Sequence, residues 1–142
     1  MKMADRATMR QTQQISTVSA NIKKKRLYIT LRGIISKKEA ERLYTDIRFC
    51  VSDLEPGFAV ITDLTRSRIG HLSAIGTFRK IMHFLLEKQV GQIIRIIGEA
   101  KVIYLQMLKL ADKTQGYEPK YVTTLEEAEA LLDQLIKKES VA

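Results

Sequence analysis

The spacing of apolar residues changes period several times along the chain, and no other feature constrains the fold as strongly. Val18, Ala20 and Ile22 alternate with polar residues, and Leu27, Ile29 and Leu31 then alternate with Tyr28, Thr30 and Arg32. A period of two marks half-buried strands, so this stretch reads as an antiparallel pair. The basic run Lys23, Lys24, Lys25 and Arg26 falls between the strands and reads as a solvated turn. Ser36-Lys37-Lys38-Glu39 then has the spacing of a capping box, in which serine and glutamate oxygens each take a backbone N–H left open at a helix start. Ala40, Leu43, Tyr44, Ile47, Cys50, Val51 and Leu54 follow at steps of three and four until Pro56-Gly57 stops them. That is the apolar stripe of a helix lying on a sheet.

Residues 58–61 form a short, continuously apolar run before Thr62 and Asp63, as in a central strand covered on both faces, which implies parallel pairing. Ile75, Phe78, Met82 and Leu85 mark a second helix, and residues 93–97 a further strand interrupted only by Arg95. Residues 102–111 are apolar nearly all round a third helix, and a short strand is expected around 120–122. Thr124-Leu125-Glu126-Glu127 repeats the capping-box spacing. A last helix then carries Leu125, Ala128, Leu131, Leu132, Leu135 and Ile136 and ends in Lys137 and Lys138, favourable beside the negative pole of the helix dipole. The order is ββαβαβαβα: an α/β domain with an N-terminal antiparallel hairpin, later parallel strands joined by right-handed crossovers, and about four helices. Residues 1–14 lack any apolar period and read as a mobile tail, leaving 15–142 as a single domain.

Composition narrows the function classes. No apolar stretch approaches the roughly 18 residues of a membrane span, and the N-terminus has no apolar signal core. The single cysteine, Cys50, leaves no internal disulfide and too little thiol for a structural zinc site. Together these point to the cytoplasm. Nucleotide-binding glycine loops, zinc-protease and serine-hydrolase signatures are all missing, so neither a cofactor nor an enzyme activity is expected. A net charge of +8 permits an anionic partner without choosing among nucleic acid, lipid and acidic protein. Nucleic acid ranks last, because few exposed aromatic side chains are available to stack on bases.

The chain resembles the anti-sigma-factor antagonist (STAS) family and its SpoIIAA-like relatives from Val18 to Leu135. The resemblance is carried by four segments in order. Arg26-Leu27-Tyr28-Ile29-Thr30-Leu31-Arg32-Gly33 looks like the family's second strand, and Phe58-Ala59-Val60-Ile61-Thr62-Asp63-Leu64 like its central strand ending in Asp-Leu. Ile94-Arg95-Ile96-Ile97-Gly98 looks like its next strand, and Thr123-Thr124-Leu125-Glu126-Glu127-Ala128 like the start of its final helix. The resemblance implies a regulatory module that binds a protein such as a regulator or kinase, controlled by phosphorylation of a serine in an Asp-Ser-Ser-Gly motif. The matching stretch here is His71-Leu72-Ser73-Ala74, where only the serine is kept, so Ser73 carries over as the candidate phosphorylation site.

The residues themselves point to the same loop, 65–73. It follows a central strand and leads into a helix, the place where open α/β sheets bind ligands. Arg66, Arg68, Gly70, His71 and Ser73 there would favour an anion or an acidic partner surface. The competing reading is that Ser73 caps the helix and the arginines stay hydrated. Asp63 reads as a structural turn residue, having no neighbour at metal-ligand spacing, and Cys50 as a small core hydrophobe. The alternative function is a small-molecule or lipid-binding domain with an apolar pocket beneath residues 102–111, with Met82, Leu85 and Met107 as candidate lining. An uncovered hairpin edge or third helix would offer a homodimer surface.

Overall fold

The computed structural model describes residues 15–68, 74–98 and 118–141. Five strands lie side by side in chain order: β1 (Thr17–Asn21), β2 (Arg26–Ile34), β3 (Ala59–Arg68), β4 (Ile93–Ile96) and β5 (Lys120–Val122). β1 and β2 are antiparallel, and β2–β3, β3–β4 and β4–β5 are parallel, as the alternation of periods requires. Three helices are seen among the described residues, α1 (Lys37–Val51), α2 (Ile75–Glu87) and α3 (Leu125–Val141). The helix expected over 102–111 lies outside them. No helix among them is long and apolar enough to cross a membrane.

The two faces of the sheet bury different sets. On one, Leu27, Ile29, Leu31, Val60, Leu64 and Ile93 meet Ala40, Leu43, Ile47 and Val51 of α1 and Ile81 and Leu85 of α2. On the other, Ala59, Ile61, Ile94 and Ile96 meet Ala128 and Leu132 of α3. Each fully buried Leu, Ile, Val or Phe side chain contributes about 1.5–3 kcal/mol, so among the described residues the α1–α2 layer carries the larger share of the apolar stabilisation. Backbones approach closely where β3 and β4 begin. Gly91 N–H donates to Phe58 O at 2.7 Å, and a Cβ on Gly91 would stand 2.7 Å from Gly57 O.

Several expectations are corrected. Ile22 belongs to the turn and is exposed, because β1 ends at Asn21. Arg26 is not part of a solvated turn: it is the first residue of β2 and is buried among α3 carboxylates. Leu125 and Ile136 lie on exposed parts of α3, since only Ala128 and Leu132 sit squarely over the sheet. β3 continues to Arg68, so 65–68 is strand and not loop, because its backbone keeps pairing with the last residues of β2.

Candidate functional site

The caps show how local sequence fixes one end of the sheet. Ser36 Oγ accepts the Glu39 N–H at 3.1 Å, as a capping box requires. The Glu39 carboxylate does not return to Ser36. It accepts the Ser16 N–H at 3.0 Å instead, because Ser16 is fully buried and its backbone groups need partners inside the protein. Ser16 Oγ also accepts the Arg32 N–H at 3.0 Å, and Ser16 O accepts from Arg42 Nη2 at 2.8 Å. One small residue thereby ties the start of β1 to the end of β2 and the first turns of α1. Its role is invisible in the sequence, where it is one polar residue among several before a strand.

A β-bulge shapes the neighbouring part of β3. Thr30 pairs with Asp63 and Arg32 pairs with Arg66, so β2 advances two residues while β3 advances three. Asp63 Oδ1 accepts both the Thr65 N–H at 2.9 Å and the Thr65 hydroxyl at 2.6 Å, which holds the extra residue in place. Asp63 is the turn residue its context suggested, within a strand. A one-residue shift moves side chains to the opposite face. Arg66 and Arg68 are thereby placed in register with Arg32 and Ile34.

The result is an open groove of about 1000 Å³ at the ends of β2 and β3, beside the start of α1. Its charged lining is Arg32, Lys38, Arg42, Arg66, Arg68 and Glu39. Glu39 is occupied by Ser16 and by Arg42 Nη2 at 3.6 Å, and Arg42 Nη1 also reaches Asp46 at 2.8 Å. Lys38, Arg66 and Arg68 are exposed and make no ion pair or side-chain hydrogen bond among the described residues. Gly33, at φ 67, also lines the groove, in a backbone conformation that side chains with a Cβ resist. The arrangement can bind and orient negative charge.

Of the residues singled out from sequence, Arg66 and Arg68 come together here with three cations that sequence reading missed, Arg32, Lys38 and Arg42. The β2–β3 register is what joins them. Gly70, His71 and Ser73 lie outside the described residues. α2 starts with Ala74 at its cap position and no side-chain cap. Met82 is half-buried on α2 and Leu85 is packed into the α1–α2 core; Met107 lies outside the described residues. Cys50 is half-buried against the same core, and burial pushes its thiol pKa up. Among the described residues no group of three His, Cys, Asp or Glu could hold a metal ion.

A second charged cluster lies at the opposite end of β2. Arg26 Nη2 donates to Asp133 Oδ1 at 2.6 Å, Arg26 Nη1 stands 3.1 Å from Glu129 Oε1, and the Tyr28 hydroxyl donates to that same oxygen at 2.9 Å. The Arg26 hydrogen bond holds the Asp133 carboxyl below the usual carboxylate range. Burial, with the hydrogen bond to Glu129, pushes the Tyr28 hydroxyl up.

No protein-family model and no curated protein matches the chain. Among solved structures, one described as "Structure of the Anti-Sigma Factor Antagonist SpoIIAA in its Unphosphorylated Form" superposes with a TM-score of 0.59 at 16% identity, covering 84% of this chain and 96% of that one. The chain has the anti-sigma factor antagonist fold. That SpoIIAA-like architecture accounts for the hairpin, the parallel strands and the final helix together, as the four segments quoted above imply.

Proposed function

We propose that the chain is a non-enzymatic regulatory module, folded as one domain over 15–142. It acts on a protein partner through the surface at the end of β3 and residues 69–73. Its affinity changes when negative charge arrives there, as phosphate on Ser73 or as a bound anion, because either alters the field of Arg66 and Arg68. The observation that carries this reading is the pair of exposed, unpaired arginines that the bulge brings beside Arg32. The SpoIIAA-like fold supports it, since that neighbour is described as an antagonist of another protein and as having an unphosphorylated form.

Affinity capture from the source cells with wild type, Arg66→Glu/Arg68→Glu and Ser73→Asp tests it. A protein retained by wild type and released by the charge variants is expected. The same proteins on all three baits would contradict it. The alternative apolar pocket beneath 102–111 lies outside the described residues, and the groove among them is basic.

A further inference from the structure

We propose that the groove at the ends of β2 and β3 is a binding site for an organic phosphate bearing two or more negative charges. The inference deepens the proposed function by naming the chemistry of the anion, and it shares Arg66 and Arg68 with that reading. Three observations support it. Arg32 and Arg66 are register partners and Arg68 follows two residues on, so three arginines share one end of two neighbouring strands, a concentration of positive charge that favours an anion. Of the five cations lining the groove, Arg42 is engaged by Glu39, Asp46 and the Ser16 carbonyl, whereas Lys38, Arg66 and Arg68 make no ion pair or side-chain hydrogen bond among the described residues. A monoanion would need only one of these cations, whereas a phosphate offers several oxygens to arginine forks and to the Lys38 ammonium.

The volume and the apolar lining give the rest of the ligand. About 1000 Å³ is far more than inorganic phosphate fills and lies at the upper end of the roughly 300–1,000 Å³ usual for small-molecule sites. Ile15 and Ile34, both exposed, line the groove beside the cations. They offer a surface for the carbon body to which the phosphate is attached. A soluble phosphorylated metabolite and a phospholipid headgroup share this chemistry.

The test is titration calorimetry with inorganic diphosphate at about 0.15 M salt, where screening acts over about 8 Å. Wild type is expected to bind saturably, and Arg66→Gln/Arg68→Gln to bind at least about tenfold more weakly with unchanged circular dichroism. Lys23→Gln/Lys24→Gln removes the same charge at the far end of the hairpin, about 30 Å away at about 3.3 Å per residue. It should stay within about twofold of wild type. Absence of saturable binding, or equal weakening in both double variants, would overturn the proposal. Parallel sedimentation with phosphatidylcholine vesicles containing phosphatidic acid separates the two sources. Binding lost in Arg66→Gln/Arg68→Gln supports a headgroup, and diphosphate binding without vesicle binding supports a soluble ligand. Diphosphate binding needs no protein partner, so its failure and the failure of affinity capture are distinct results.

Discussion

Removing the cation and removing an anion of the Arg26 cluster should have unequal costs. Arg26 is 2% exposed while Glu129 is 27% and Asp133 66% exposed, so the carboxylates can turn to water and the guanidinium cannot. In Arg26→Met an unbranched apolar chain stays in the buried position and no charge is stranded. The expected loss is about 1 kcal/mol. In Glu129→Ala the guanidinium loses an ionised neighbour 3.1 Å from its Nη1, and the Tyr28 hydroxyl loses its acceptor at 2.9 Å. A hydrogen bond to a charged group contributes about 1.5–3 kcal/mol, so the expected loss is about 2–3 kcal/mol. The double variant leaves no buried cation but still lacks the Tyr28 acceptor, so its loss should fall about 1 kcal/mol short of the sum of the two single losses. Urea denaturation at pH 7, with unchanged slope, reads all four values. Additive losses, or Arg26→Met costing as much as Glu129→Ala, would refute the reasoning.

Asp133 has a folded-state pKa below its unfolded value, so the stability it lends is fully present above the unfolded carboxylate pKa of about 3.9 and is lost as pH falls through the folded one. Asp133→Asn should therefore flatten the acid limb of an unfolding-versus-pH curve, and an unaltered limb would count against the Arg26 contact. Gly91→Ala would place a methyl 2.7 Å from the Gly57 carbonyl oxygen. A loss of about 1–3 kcal/mol in denaturant unfolding is expected, and a neutral result would mean that the start of β4 can shift. Ser16→Ala removes the acceptor for the Arg32 N–H in a fully buried setting. It should cost about 1–3 kcal/mol by the same assay, with a loss under half of that indicating that another group takes its place.

The sheet was legible because its order rests on period changes that tertiary contacts reinforce: Leu27, Ile29 and Leu31 alternate and are buried, and Ala40, Leu43 and Ile47 face them at helical spacing. The site was only half legible. Arg66 and Arg68 stood out as cations after a central strand, but their partners come from a register that one extra residue resets, and nothing in the string Asp63-Leu64-Thr65 announces a bulge. Arg26 was misplaced for a related reason. A fourth cation in a lysine-rich run looks solvated until α3, more than a hundred residues later, supplies Glu129 and Asp133. Glu39 likewise has capping spacing but spends its carboxylate on Ser16, a contact set by how β1 meets α1.

The most direct measurement is a two-dimensional amide NMR titration with diphosphate at physiological salt. Saturable shifts concentrated at residues 32–34, 38 and 66–68 are expected if the bulge-built groove is where this protein meets negative charge. Shifts at the basic turn 22–25, or none that saturate, would contradict it.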